Sequence, residues 1–177
     1  MGARAMTGSE ALGKRLIRGA LGGFVAGLVF IGITMWFSDS LGNPAEGPLK
    51  LISTLVLGGD AMMTGDANAG LGFLVHSVLA AAFGMIFALA VPVFGNNGTL
   101  ALAGGIYGAL LYVVNFQLIA RAGIERFLEG PNQPFELVIH IVFGHLLAVA
   151  FYSAGRRRGE RVIDLGTSAS ERQATAV

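Results

Sequence analysis

Four long apolar stretches alternate with short polar segments along the chain. They run over about 19–37, 71–94, 99–120 and 135–155. Each comes close to the roughly 20 residues that an α-helix needs to cross the hydrocarbon of a bilayer. A fifth apolar piece, PLKLISTLVLGG from Pro48 to Gly59, is too short to cross. Its Pro48 suits a first helical turn, and Gly58-Gly59 suits an end. The pattern predicts an all-α protein: a four-transmembrane-helix bundle with a short interfacial or re-entrant helix, about 48–59, in the first extracytoplasmic loop. GNNGT (Gly95–Thr99) predicts a tight turn between the second and third spans. The longer polar connection 121–134 is closed by Pro131 and Pro134.

Composition strengthens the membrane reading. The 177 residues are 54% hydrophobic and only 13% charged, about half the charge usual for a soluble domain. The 27 glycines fall mostly inside apolar runs, which suits close helix packing in lipid. There is no cysteine, so disulfides and thiolate chemistry are excluded.

The net charge of +1 matters less than its placement. Arg4, Lys14, Arg15 and Arg18 precede the first span, and Arg156, Arg157, Arg158 and Arg161 follow the fourth. The loops after spans one and three hold only Lys50, Arg121 and Arg126. The positive-inside rule then puts both termini in the cytoplasm: 1–18 as a basic segment and 156–177 as a basic, then disordered tail. Arg156, Arg157 and Arg158 are expected to anchor the fourth span at an anionic leaflet rather than to bind nucleic acid. A signal peptide is the rival for the N-terminus, but the apolar core is long and no small-x-small cleavage site follows it.

Spans two and four share a pattern. His76, Ala80, Gly84 and Phe87 match His140, Gly144, Ala148 and Phe151 in spacing. Spans one and three share a weaker one, Gly22-Gly23 with Gly27 against Gly104-Gly105 with Gly108. The chain therefore reads as a possible parallel repeat of two helical hairpins. Gly23/Gly27, Gly104/Gly108, Ala80/Gly84 and Gly144/Ala148 are small-xxx-small pairs. They suit packing within the chain or an interface between copies in a homo-oligomer.

The candidate chemistry lies in a polar layer. His76 and His140 each stand about five residues into their spans, roughly 7–8 Å below the extracytoplasmic boundary. Asn115 and Gln117 lie near the same end of span three, and Thr34 near that of span one. Glu136 is one turn from His140 on the same helix face. His145 is deeper and about 140° round the helix.

Several roles fit these residues. They could form a proton, quinone or small-solute site, a haem or transition-metal site between His76 and His140, or a pH sensor. They could also simply hydrogen-bond across helices and fix register. No GxSxG, P-loop, or βαβ-embedded GxGxxG is present, which argues against hydrolase and nucleotide chemistry. The expected protein is non-enzymatic, with a proton- or ligand-responsive layer. A metal or haem redox protein and a small oligomeric carrier are the alternatives.

The stretches VLGGDAMM (Val56–Met63), LGFLVHSVLAAAFGMIFALAVP (Leu71–Pro92), GGIYGALLY (Gly104–Tyr112) and VIHIVFGHLLAVAFY (Val138–Tyr152) together carry a resemblance. The chain resembles a group of small bacterial integral membrane proteins, some of them labelled sodium:proline symporters, for which it is too short. More distantly it is similar to the YagU-like inner-membrane proteins, at the histidine of span two and at FGHLL (Phe143–Leu147). The resemblance implies an inner-membrane location, a link to acid resistance and a role as an accessory or envelope-stress component. It directs attention to His76, His140 and His145.

Overall fold

The computed structural model describes residues 8–122 and 126–152. Among them the protein is all-helical, and three helices are long and apolar enough to cross a membrane. These are α1 (Gly8–Ser40), α4 (Ala69–Ala90) and α5 (Asn97–Tyr112). The spans themselves are Ala11–Ser40 within α1, Ala69–Val93 from α4 into the turn after it, and Asn97–Leu118 from α5 into the π-helical stretch that follows, of 30, 25 and 22 residues. Between α1 and α4 come α2 (Gly47–Leu57) and the single turn α3 (Ala61–Thr64). After α5 come α6 (Arg126–Glu129) and α7 (Gln133–Val149), an apolar helix of 17 residues.

Local chemistry sets these boundaries. Asn68, Asn96 and Asn132 each sit in extended backbone and accept a hydrogen bond from the N–H three residues on. This satisfies one of the donors that a helix start leaves open. Pro48 and Pro134 occupy first turns, where a missing N–H costs nothing. Gly58, at φ 93°, ends α2 in a conformation that a side chain would strain. Glu46, just before α2, is held below the ordinary carboxylate range, first by a backbone hydrogen bond and then by Lys50, 3.1 Å away.

Several boundaries differ from expectation. The first helix already includes Lys14, Arg15 and Arg18, which were expected in a basic segment, 1–18, ahead of it. The last ends at Val149, where Ala150 and Tyr152 close a turn, instead of running to 155. The tail, with Arg156, Arg157 and Arg158, lies outside the described residues. Pro92 tightens the end of α4 into a 3-10 turn, Val91–Val93. The turn to α5 is shorter than GNNGT, because Asn97 and Thr99 are already helical. Beyond Tyr112 the third apolar stretch continues as a π-helix, Val113–Ile119, in which Ala120 N–H bonds the Asn115 carbonyl five residues back. Neither glycine nor proline marks that stretch, so its apolar run alone predicted an ordinary helix.

The bundle is built from two close pairs, α1 with α4 and α5 with α7. A Cβ on Gly23 would collide with the Ala80 carbonyl, and one on Gly84 with the Gly19 carbonyl. In the second pair a Cβ on Gly104 would strike the Gly144 carbonyl, and one on Gly108 the His140 carbonyl. Gly27 faces Ala80 and His76, and Gly104 also faces Ala148. All eight small residues singled out in the sequence thus serve helix crossings within one chain. Backbones in such close contact gain dispersion and lose no side-chain freedom, which favours association where water provides no drive.

The pairs are joined where α1 meets α7. There the Arg18 Nε–H donates to the Ala150 carbonyl, and its guanidinium lies over the Phe151 ring. They also meet where Tyr107 of α5 donates its hydroxyl to the Phe83 carbonyl of α4, at 2.8 Å. α2 packs across the start of α4: Gly72 abuts the Leu49 carbonyl, and Ser53 Oγ accepts from the Asn68 N–H.

Candidate functional site

At the end of the bundle that carries α2 and α6, the two pairs do not close. A cavity of about 810 Å³ lies between α4 and the α5–π-helix segment, backed by α1 and α7 and roofed by α2. Its walls are mostly apolar, with the rings of Phe30, Phe37, Phe83, Phe116 and Phe143 prominent. Residues 43, 47 and 129–132 form its rim. The size and character match a pocket for a small organic molecule.

Five of the seven expected polar candidates line this cavity: Thr34 from α1, His76 from α4, Asn115 from the π-helix, and Glu136 and His140 from α7. Each long helical segment contributes one or two. Gln117 is turned elsewhere. It donates to the Tyr112 hydroxyl and accepts from Arg121, in a network that ties the π-helix to Gln133. His145 is exposed on another face of α7, its Nδ1 2.8 Å from the Ile141 carbonyl and its ring over Gly105.

Hydrogen bonds assign the imidazole protons. His140 Nδ1 lies 2.6 Å from the Glu136 main-chain oxygen, so Nδ1–H donates there. Nε2 then accepts from the Asn115 amide, at 3.4 Å. His140 is thereby satisfied as a neutral ring. His76 Nε2 lies 2.9 Å from the Gly27 carbonyl and donates to it across the α1–α4 crossing. Thr34 donates back to the Phe30 carbonyl in its own helix, at 2.9 Å.

Phe30 connects the two histidines. Its ring stacks on His76 at 5.5 Å between centroids and stands perpendicular to His140 at 4.9 Å. Tyr112 and Phe116 also meet the His140 ring edge-to-face. Both imidazoles therefore belong to one aromatic cluster at one level of the bundle.

Glu136 is the exception to this satisfaction. Its side chain is only 8% exposed and faces the cavity. Among the described residues the nearest basic atom, His140 Nδ1, is 3.9 Å from the carboxylate and already committed to the main-chain oxygen. Among the described residues no hydrogen bond reaches the carboxyl group.

A metal or haem held by His76 and His140 does not suit this geometry. Such a centre would displace Asn115 from His140 and would have to accommodate Phe30, which touches both rings. Among the described residues no three of His, Cys, Asp and Glu gather closely enough to hold a metal ion.

Some lining residues were readable and missed. Pro48, Leu51, Ile52 and Leu55 present a helical stripe from α2 to the cavity, with the spacing of an amphipathic face. Phe30 carried no comparable signal, because any of the apolar residues on α1 could have met the histidines. Set beside known proteins, the chain matches no family model, no curated protein and no solved structure.

Proposed function

We propose that this is a four-span protein of the bacterial inner membrane, with both termini cytoplasmic, that binds a small lipid-soluble ligand in the outer leaflet. It acts as an accessory or envelope-stress component and performs no chemistry on that ligand. The observation that carries the reading is the largely apolar cavity of about 810 Å³ in which Thr34, His76, Asn115, Glu136 and His140 converge. A polar patch within apolar walls selects an amphipathic molecule: the walls take its body and the patch orients its head. Because the cavity lies between α4 and the π-helix, a ligand dissolved in the bilayer can reach it sideways.

Four spans follow if α7 crosses with the other three. Its 17 residues rise about 26 Å, close to the roughly 30 Å hydrocarbon thickness, and it packs along α5 through Gly104 and Gly108. The cluster Lys14, Arg15 and Arg18 favours the cytoplasm for the opposite end of the bundle from the cavity.

The chain has no cysteine, so single-cysteine labelling tests this orientation directly. Asp66→Cys and Asn132→Cys should react with an impermeant maleimide in intact cells. Gly13→Cys, Asn96→Cys and Tyr152→Cys should react only after permeabilisation. Labelling of Tyr152→Cys from outside would reduce the spans to three.

The binding reading is tested with a neutral lipophilic fluorophore and purified protein in detergent. Val114 lines the cavity and is 38% exposed, so Val114→Trp can fill the space without disturbing a packed core. The fluorophore should bind the unaltered protein saturably, and Val114→Trp should weaken binding about tenfold or more at unchanged melting temperature. Equal binding by both proteins would refute the cavity as the site.

A further inference from the structure

We infer that the cavity recognises an organic cation with an apolar body, and that Glu136 is its counter-charge. This rests on the cavity reading above and narrows it to a class of ligand.

The argument begins with an unmet requirement. A carboxylate removed from water is costly unless it is paired or richly hydrogen-bonded. The Glu136 side chain is more than nine-tenths buried, lines the cavity and receives no hydrogen bond among the described residues. His140 does not answer it: its Nδ1 proton goes to the Glu136 main-chain oxygen, and its Nε2 accepts from Asn115. A ligand in the cavity can supply the partner that the described residues do not.

The remaining lining defines that partner's charge and shape. Among the described residues no lysine or arginine lines the cavity, whereas a second carboxylate, Glu129, stands at its rim. Among the described residues an anionic ligand would meet two acidic groups and no lysine or arginine. A positively charged head meets Glu136, and its flanks meet aromatic faces such as Phe30 and Phe143, which attract cations through their π-electrons. The apolar stripe of α2 then covers the body of the molecule. A secondary, tertiary or quaternary amine carrying an aryl or alkyl group has this form.

The test compares a phenylalkyl-trimethylammonium probe with its neutral tert-butyl isostere, on the full-length purified protein in detergent. The cation should bind about tenfold or more tightly than the isostere, as expected for one desolvated charge pair. Glu136→Gln should bring the two affinities together by weakening the cation alone. The unaltered protein supplies a check that needs no variant. The titratable groups facing the cavity are Glu129, Glu136, His76 and His140. Protonating Glu136 removes the counter-charge, and protonating either imidazole adds a repelling one, so any proton gained at the site opposes a cation. Cation affinity should therefore fall from pH 8 to pH 5 while isostere affinity stays constant.

Equal affinities for cation and isostere at pH 8, both lost in Val114→Trp, would overturn the cation inference and leave the cavity reading standing. A cation preference that survives Glu136→Gln would overturn the role of Glu136. Failure of both probes to bind would overturn the two readings together.

Discussion

Gly84→Val should abolish the folded bundle, whereas Gly32→Ala should leave it intact or slightly more stable. Both glycines lie inside long apolar helices, so composition does not distinguish them. Their neighbours do. A Cβ at Gly84 would overlap the Gly19 carbonyl and approach the Gly23 Cα to 2.9 Å. Both are backbone atoms on the facing helix, so no side chain can rotate aside. The helices must separate, and the contacts from Gly19 to Gly27 are lost with them. The cost should be about 3 kcal/mol or more, at the upper end of overpacking. At Gly32 no atom lies within 4 Å, and added helix propensity contributes up to about 1 kcal/mol. Gly144→Val should match Gly84→Val, because its Cβ would strike Gly104. The measurement is the temperature at which half of the monodisperse protein is lost in mild detergent. A Gly84→Val protein that melts with the unaltered one would show that the α1–α4 crossing is looser than described.

This contrast shows what was legible in the sequence and why. Small residues spaced four apart mark a helix face where backbones can touch, so Gly23/Gly27 and Gly104/Gly108 pointed to crossings before any partner was known. Matching patterns around His76 and His140 likewise pointed to equivalent places in two helical pairs. Periodicity specifies a face but not the face it meets. Nothing in the sequence said that Phe30 would touch both imidazoles, or that α4 and the end of α5 would part around a cavity. The π-helix was hidden for a related reason. One extra residue in each hydrogen-bonded loop leaves no compositional mark, yet it rotates Asn115 and Gln117 relative to an ordinary helix, and only Asn115 reaches His140. Depth arguments placed Gln117 in the polar layer because they count residues along an axis and are blind to that rotation.

Removing His140 should be the most damaging change within the polar layer, and His76 a much milder one, although the sequence presents them as equivalents. The His140 side chain is 7% exposed and is enclosed by Phe30, Tyr112 and Phe116. His140→Ala opens a void among these rings and leaves the Asn115 amide without its acceptor. Cavity and unmet polar group together should cost about 3 kcal/mol. His76 is half-buried and makes one bond, to a Gly27 carbonyl whose second lone pair remains available to its own helix. His76→Ala should cost about 1 kcal/mol. The two changes should also fail to add, because each removes one of the two imidazoles that fix Phe30. Once the first is gone, Phe30 is free to shift, and the second removes less. A double-mutant cycle on unfolding in detergent should therefore show a coupling of about 0.5 kcal/mol or more. Equal single-mutant losses would contradict the asymmetric burial of the two rings, and strict additivity would contradict the link through Phe30.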